Sequence, residues 1–368
     1  MRAVRKIAFL ALILALAAAS PAAADVETRN RLVHFFGGWY SWYPNSLIRV
    51  SESREVEIAG FETYRVERTC ESKLHRESNV ALVDRTKDEV FVGEVFHDLV
   101  RRMAKRPFNA AADVPPIEGS LSEAYGLPAR VKVEDSTRAS LKPITITLRE
   151  AENAPVSIPG FVSDDGATLM IGEFVPLSSD APAIRRKLLA ESSGIRPAKG
   201  SFYVTEFVDF QCERCRVRAP EVKKFVVEKG GAMEVRLLPL AKVHDWAFPA
   251  AEYGAALANV DAALYAKYEE TLFTREGTTA ATARQLASDI AEAAGAKEKF
   301  ESELSSGRAR ERVLRDIRLA LRLGLSGTPS FLHDGNFVSA EPDLFEAYLK
   351  DRLSPAGKPA PASKPAAR

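Results

Sequence analysis

The sequence predicts an α/β domain in its C-terminal half, preceded by an α+β, strand-rich region. Three observations carry this reading. "SFYVTEFVDF" (201–210) and "MEVRLLPL" (233–240) are runs with apolar residues on both faces, and the helical pattern of "APEVKKFVVEK" (219–229) lies between them. Such strands suit a sheet covered on both sides. Helical patterns follow at about 248–274, 279–294 and 297–323, then "TPSFLHDGNFVSA" with a hairpin turn at Asp334-Gly335, then a closing helix in "EPDLFEAYLKDRL". Residues 25 to about 195 show strand patterns instead, with turn signals at Asn45, Gly60 and Asp164-Asp165-Gly166.

A chain of 368 residues suits two or three domains at roughly 100–200 residues each. "MRAVRKIAFLALILALAAASPAAAD" combines a basic start (Arg2, Arg5, Lys6), an apolar run from Ile7 to Ala19 and small residues before Asp25. That is the form of a secretory signal peptide over 1–24, and the apolar run is shorter than the ~20 residues of a spanning helix. The Pro/Ala/Lys-rich tail, 354–368, is expected to be disordered because it has no large apolar residue to bury. With 51 basic and 50 acidic residues and no basic stripe, the chain carries no nucleic-acid footprint.

The strand-rich region contains an apparent internal repeat. "VDRTKDEVFVGEVFHD" (83–98) aligns without gaps on "VSDDGATLMIGEFVPL" (162–177), at an offset of 79, with an apolar triplet followed by Gly-Glu in both. The expected division is therefore two modules, 25–118 and 119–195, the second ending in a linker helix "APAIRRKLLAESSGI" (181–195). The α/β domain occupies 196–353.

The chemistry centres on "VDFQCERCRVRAP" (208–220), which holds two of the three cysteines. A zinc site needs four ligands, and Cys70 with the scattered His34, His75, His97, His244 and His333 offers no second paired motif. A passive disulfide across two residues closes too short a loop to stabilise much. A redox pair has a mechanism. Cys212 follows a strand and opens a helix, where free N–H groups favour a thiolate. Cys215, one turn deeper, can resolve a mixed disulfide. Arg214, Arg216 and Arg218 add positive charge, and Glu213 opposes it.

These features resemble the thioredoxin superfamily, in particular the Dsb-type, DsbA-like periplasmic thiol-disulfide oxidoreductases. The match rests on the strand–C-x-x-C–helix order, Pro220 in the active-site helix, Glu206 six residues before Cys212, Thr328-Pro329, and the helical stretch between the second strand and that proline. The resemblance implies a thioredoxin fold with a helical insertion. Cys212 would be the nucleophile and Cys215 the resolving thiol. Glu206 would be a buried acid assisting proton transfer, and a cis Pro329 would leave the Thr328 backbone free for a substrate strand. Glu213-Arg214 matches neither the Pro-His of DsbA nor the Gly-Tyr of DsbC, so these two residues are expected to tune the redox poise. "GFVSDDGATLMIGEFVPLSSD" (160–180) is similar to the end of the DsbC-type N-terminal module, which implies a homodimer and a client-binding cleft.

Two further features stand outside the motif. The aromatic cluster "FFGGWYSWYP" (35–44) is expected to fill a core, the alternative being an exposed apolar face. Cys70 is expected to be a buried, inert thiol in a strand. The expected function is an exported, periplasmic thiol-disulfide oxidoreductase. It would act on cysteine-containing exported proteins, with no cofactor or metal and with an unidentified redox partner. A reduced, dimeric isomerase or reductase is the alternative within this chemistry, and a chaperone-like binding protein is the alternative outside it.

Overall fold

The computed structural model describes residues 21–43, 45–70, 75–96, 106–125, 128–148, 156–325 and 327–353. Residues 1–20 of the expected signal peptide, His97 and the expected tail lie outside them. The chain runs through α1 (Pro21–Trp39), β1 (Ser46–Glu52), β2 (Glu62–Cys70), β3 (His75–Asp84), β4 (Glu89–Phe96), α2 (Ala110–Tyr125), β5 (Ala129–Val133), β6 (Leu141–Leu148), β7 (Val156–Ser163), β8 (Leu169–Pro176) and α3 (Ala181–Ala190). Then come β9 (Tyr203–Val208), α4 (Glu213–Glu228), β10 (Ala232–Leu237), α5 (Ala247–Val260), α6 (Ala262–Thr274), α7 (Ala280–Ala293), α8 (Lys297–Ser305), α9 (Arg308–Arg322), β11 (Ser330–His333), β12 (Asn336–Val338) and α10 (Pro342–Leu353).

The first eight strands form one antiparallel sheet in the order β1-β2-β3-β4-β8-β7-β6-β5. Each half is a helix followed by a four-stranded meander, and the halves join where β4 pairs with β8. The two segments aligned by the repeat thus lie against each other, with Gly93 opposite Gly172 at the centre of the register. Both glycines have positive φ, 144° and 146°. A Cβ on Gly93 would sit 2.1 Å from the Ile171 carbonyl oxygen, and one on Gly172 2.2 Å from that of Val92. Only glycine permits so close an approach. A boundary after residue 118 would fall inside α2. Ile117 and Leu121 of that helix are buried in the same core as Ile144, Ile146 and Leu148 of β6, so α2 belongs whole to the second half.

α1 was not read from the sequence. It carries Leu32, Phe35, Phe36 and Trp39 into a core with Tyr40, Tyr64, Val66 and Val83, while Trp42 and Tyr43 of the aromatic cluster are half-buried. α2 was hidden by Pro115 and Pro116, which remove two backbone donors from a helix interior. Its first turn is held instead by Asp113, which accepts from the Asn109 amide at 2.7 Å.

The second sheet has the order β10-β9-β11-β12, with β10 parallel and β11 antiparallel to β9. Five of the six residues of β9 and all six of β10 are buried, as strands covered on both faces should be. The long helical patterns are each divided: α5 from α6 at Asp261, which caps α6, and α8 from α9 at Gly307, with φ 77°. The hairpin turns at Asp334 and Gly335, with φ 47° and 75°.

The two sheets share packing. α9 contacts β4, β7 and β8 as well as β10. The fully buried Arg185 of α3 donates to the carbonyls of Gly38, Trp39 and Gly335, so one side chain ties α1 to the β11–β12 turn. The Trp42 amide donates to Phe337 O at 2.8 Å, which adds one bridge to the β12 edge.

Candidate functional site

β9 ends at Val208, and the turn Asp209–Phe210–Gln211 delivers Cys212 to the N-cap of α4. Its φ and ψ are −72° and 114°, and its Sγ accepts from the Cys215 amide at 3.4 Å. The same sulfur lies 3.5 Å from Thr328 O, and the Thr328–Pro329 bond is cis. Cys212 is 8% exposed and Cys215 fully buried, so a single sulfur of the pair reaches solvent.

The two thiols differ in acidity. Cys212 is brought down to about 5, chiefly by the hydrogen bond from the Cys215 thiol and against its own burial. The Thr328 hydroxyl and the amides of Cys215 and Arg214 add to this. The Thr328 hydroxyl oxygen is buried, and no partner lies within hydrogen-bond distance and angle of it. Cys215 is pushed far up, first by burial and then by the neighbouring Cys212.

Glu213 and Arg214, the expected tuning residues, open α4. Both side chains are exposed, and the Arg214 guanidinium reaches Glu341 at 3.5 Å rather than either sulfur. Arg218 also pairs with Glu341, at 3.1 Å. What the dipeptide contributes to the Cys212 thiolate is the Arg214 backbone amide. The field of an ion-paired, exposed arginine is weak beside a direct hydrogen bond.

Glu206 sits in the central strand, between Val235 and Phe331. It is buried, and its Oε1 has no hydrogen-bond partner. Its carboxyl is pushed well above the usual range by burial and then by Glu269, with Lys223 pulling the other way. Glu269 is a buried acid that the sequence reading missed. It accepts from the Tyr265 hydroxyl at 2.7 Å, and its own carboxyl is raised by burial. The available signal was an acid on the apolar face of α6, in phase with Tyr265, Tyr268 and Leu272.

Asp209 was also missed. It is 1% exposed and holds the turn before Cys212 by accepting from the amides of Gln211 (2.7 Å) and Leu240 (2.8 Å) and pairing with His244 Nδ1 (2.8 Å). Gln211 extends the clamp to Asp245 at 2.9 Å and to the Trp246 amide at 3.0 Å. Cys70 is buried at the end of β2.

A family model described as Thioredoxin matches residues 198–351, and that segment is a thioredoxin-like domain. Among solved structures, the chain is similar to three proteins over less than half of its length. The catalytic domain of ScsC from Proteus mirabilis is 16% identical with a TM-score of 0.39, over 47% of this chain and 97% of that one. The thiol-disulfide exchange protein alpha-DsbA2 from Wolbachia pipientis is 17% identical with a TM-score of 0.38, over 48% and 100%. BdbD from Bacillus subtilis is 19% identical with a TM-score of 0.36, over 44% and 97%. A curated relative, the Na(+)/H(+) antiporter NhaA 3 of Salinispora tropica, is 28% identical over 205 residues, 48% of this chain. The chain spans under a third (30%) of that relative's length. Among the described residues no helix is long and apolar enough to cross a membrane. The family match begins at residue 198 and does not reach the eight-stranded sheet.

Proposed function

We propose that the protein is a thiol-disulfide oxidoreductase acting through Cys212 and Cys215 on cysteines of exported polypeptides. The observation that carries this is the asymmetry of the pair: an acidic thiol at a helix N-terminus beside a buried thiol of high pKa. In the oxidising direction, a client thiolate attacks Cys212 Sγ, the pair's S–S bond breaks, and Cys215 leaves and takes up a proton. A second client thiolate then attacks the client sulfur of the mixed disulfide, and Cys212 leaves as a thiolate. The client has lost two electrons and the pair has gained them. Stabilising that thiolate favours the reduced pair, so the disulfide is a better oxidant than one whose thiolate is less stabilised.

Glu206 is assigned the proton exchanged with Cys215, since burial raises its carboxyl so that it holds a proton an ordinary carboxylate would lose. Thr328-Pro329 is assigned to the substrate strand. The N-terminal sequence supports export to the periplasm. A redox partner must reset the pair. Within one chain, the two halves of the sheet are joined by the β4–β8 pairing.

Alkylation of reduced protein against pH tests the reading. Cys212 should react with a midpoint near pH 5, and Cys212→Ser should abolish both that phase and all client oxidation. The reduction potential should lie above about −270 mV, the value of thioredoxin. A Cys212 midpoint near the ordinary ~8.5 would sink the proposal.

A further inference from the structure

A groove of about 460 Å³ runs beside the redox pair. One wall is the Thr328-Pro329 loop, whose Thr328 carbonyl lies 3.5 Å from Cys212 Sγ. The other wall comes from the eight-stranded sheet and its leader: Ser41 and Tyr43, and Glu77 to Asn79 of β3.

The state of β3 makes this wall more than a lining. β3 pairs with β2 along its full length, from Cys70↔His75 to Glu62↔Val83. It pairs with β4 only at Val83 and Asp84. On its other edge β4 pairs with β8 from Glu89 to Phe96. Among the described residues, no strand pairs with the second edge of β3 from Arg76 to Leu82. Ser78 and Asn79 on that stretch are exposed. An open strand edge presents a row of N–H and C=O groups that accept another extended chain.

The chemistry of the groove suits recognition of backbone rather than of a charged side chain. Glu77 is neutralised by the buried Arg68 at 2.9 Å and accepts from Ser41 at 3.0 Å. The remaining surface is hydroxyl, amide and aromatic, with Arg214 at the rim. Aromatic faces next to unpaired backbone groups bind extended peptide with little dependence on its sequence.

We propose that the client is an extended polypeptide segment that lies in this groove, pairing with the open edge of β3 while its cysteine meets Cys212. The eight-stranded sheet is then half of the substrate site. This rests on the thiol-disulfide reading above.

Trapping tests it. In the full chain carrying Cys215→Ala, the Cys212 thiolate attacks the cysteine sulfur of a peptide activated as a mixed disulfide with thionitrobenzoate. A peptide–Cys212 disulfide forms, and thionitrobenzoate leaves as its thiolate. Peptides of about ten residues, which extend over roughly 30 Å, carry a benzophenone side chain at successive positions on either side of the cysteine. After irradiation, cross-links to residues 41–43 or 76–79 are expected from one side. Cross-links confined to 198–353 overturn the proposal and leave the redox reading standing, whereas no adduct at Cys212 at all overturns both. In the chain with both cysteines, Ser78→Trp should lower the ratio of peptide to dithiothreitol oxidation rates by about five-fold, or ~1 kcal/mol. An unchanged ratio overturns the proposal, as does a dimer in solution that Ser78→Trp dissolves, since the edge is then filled by a second copy.

Discussion

Val83 and Val162 occupy equivalent places in the two halves of the eight-stranded sheet, and both are buried, but they belong to different cores. Val83 packs with α1 in a separate core, which also takes in Val175 of β8, Leu177, and Ala181 of α3. Val162 belongs to a core that continues through Ile158, Leu169 and Ile171 into α9 and the thioredoxin-like domain. The same divergence appears at the Gly-Glu step. Glu173 is paired with Arg322 of α9 at 3.3 Å, whereas burial raises the Glu94 carboxyl to about 7. The second half therefore packs into the thioredoxin-like domain, while β3 of the first half lines the groove. On the proposal above, two copies of one topology are divided between support and recognition.

Three experiments break or sharpen this comparison. The largest effect is expected at the centre, where the halves are equivalent. Gly93→Val and Gly172→Val each place a Cβ against a backbone carbonyl at positive φ, and each should cost more than about 3 kcal/mol in urea denaturation. A large loss at one position and a small one at the other breaks the equivalence. Next, Val83→Ala and Val162→Ala should cost similar amounts, about 1.5–3 kcal/mol. Only Val162→Ala should speed hydrogen exchange in α9. Faster exchange there from Val83→Ala would mean that the two cores are one.

The smallest effect is at the paired glutamates. The folded Glu94 carboxyl is raised, so below pH ~4.5 it is protonated folded or unfolded and costs nothing. As pH rises from there to about 7, the unfolded chain ionises first and the folded state loses stability. That loss is complete above pH 7. Glu94→Gln should therefore stabilise at pH 8 and not at pH 4, while Glu173→Gln should cost under ~1 kcal/mol at pH 8. Urea midpoints at the two pH values decide it, and equal responses of the two variants would remove the distinction.

Much of the thioredoxin-like domain was legible in the sequence. Fully apolar strands, the helix opened by Cys212 and the Asp334-Gly335 turn are written in neighbouring residues. The candidate site was legible as far as its motif reached, to Cys212, Cys215, Glu206 and Thr328-Pro329. Asp209, His244 and Glu269 were not. Asp209 reads as an ordinary turn residue until Leu240 and His244 close on it, and Glu269 as a helix-surface acid until α6 docks. The pairing of the Arg214 guanidinium with Glu341 was not legible either, because Glu341 is remote in sequence.

The sequence by itself determined the cysteine spacing, the strand and helix that hold it, and the presence of two similar strand–turn–strand segments. Each of these follows from local periodicity, turn chemistry and steric limits on the backbone. The tertiary structure alone decided that Cys212 is acidic while Cys215 is not, that β4 pairs with β8, and that β3 lines the groove beside Thr328. Those outcomes depend on burial and on contacts between distant residues, and burial is a property of the packed chain rather than of any segment of it.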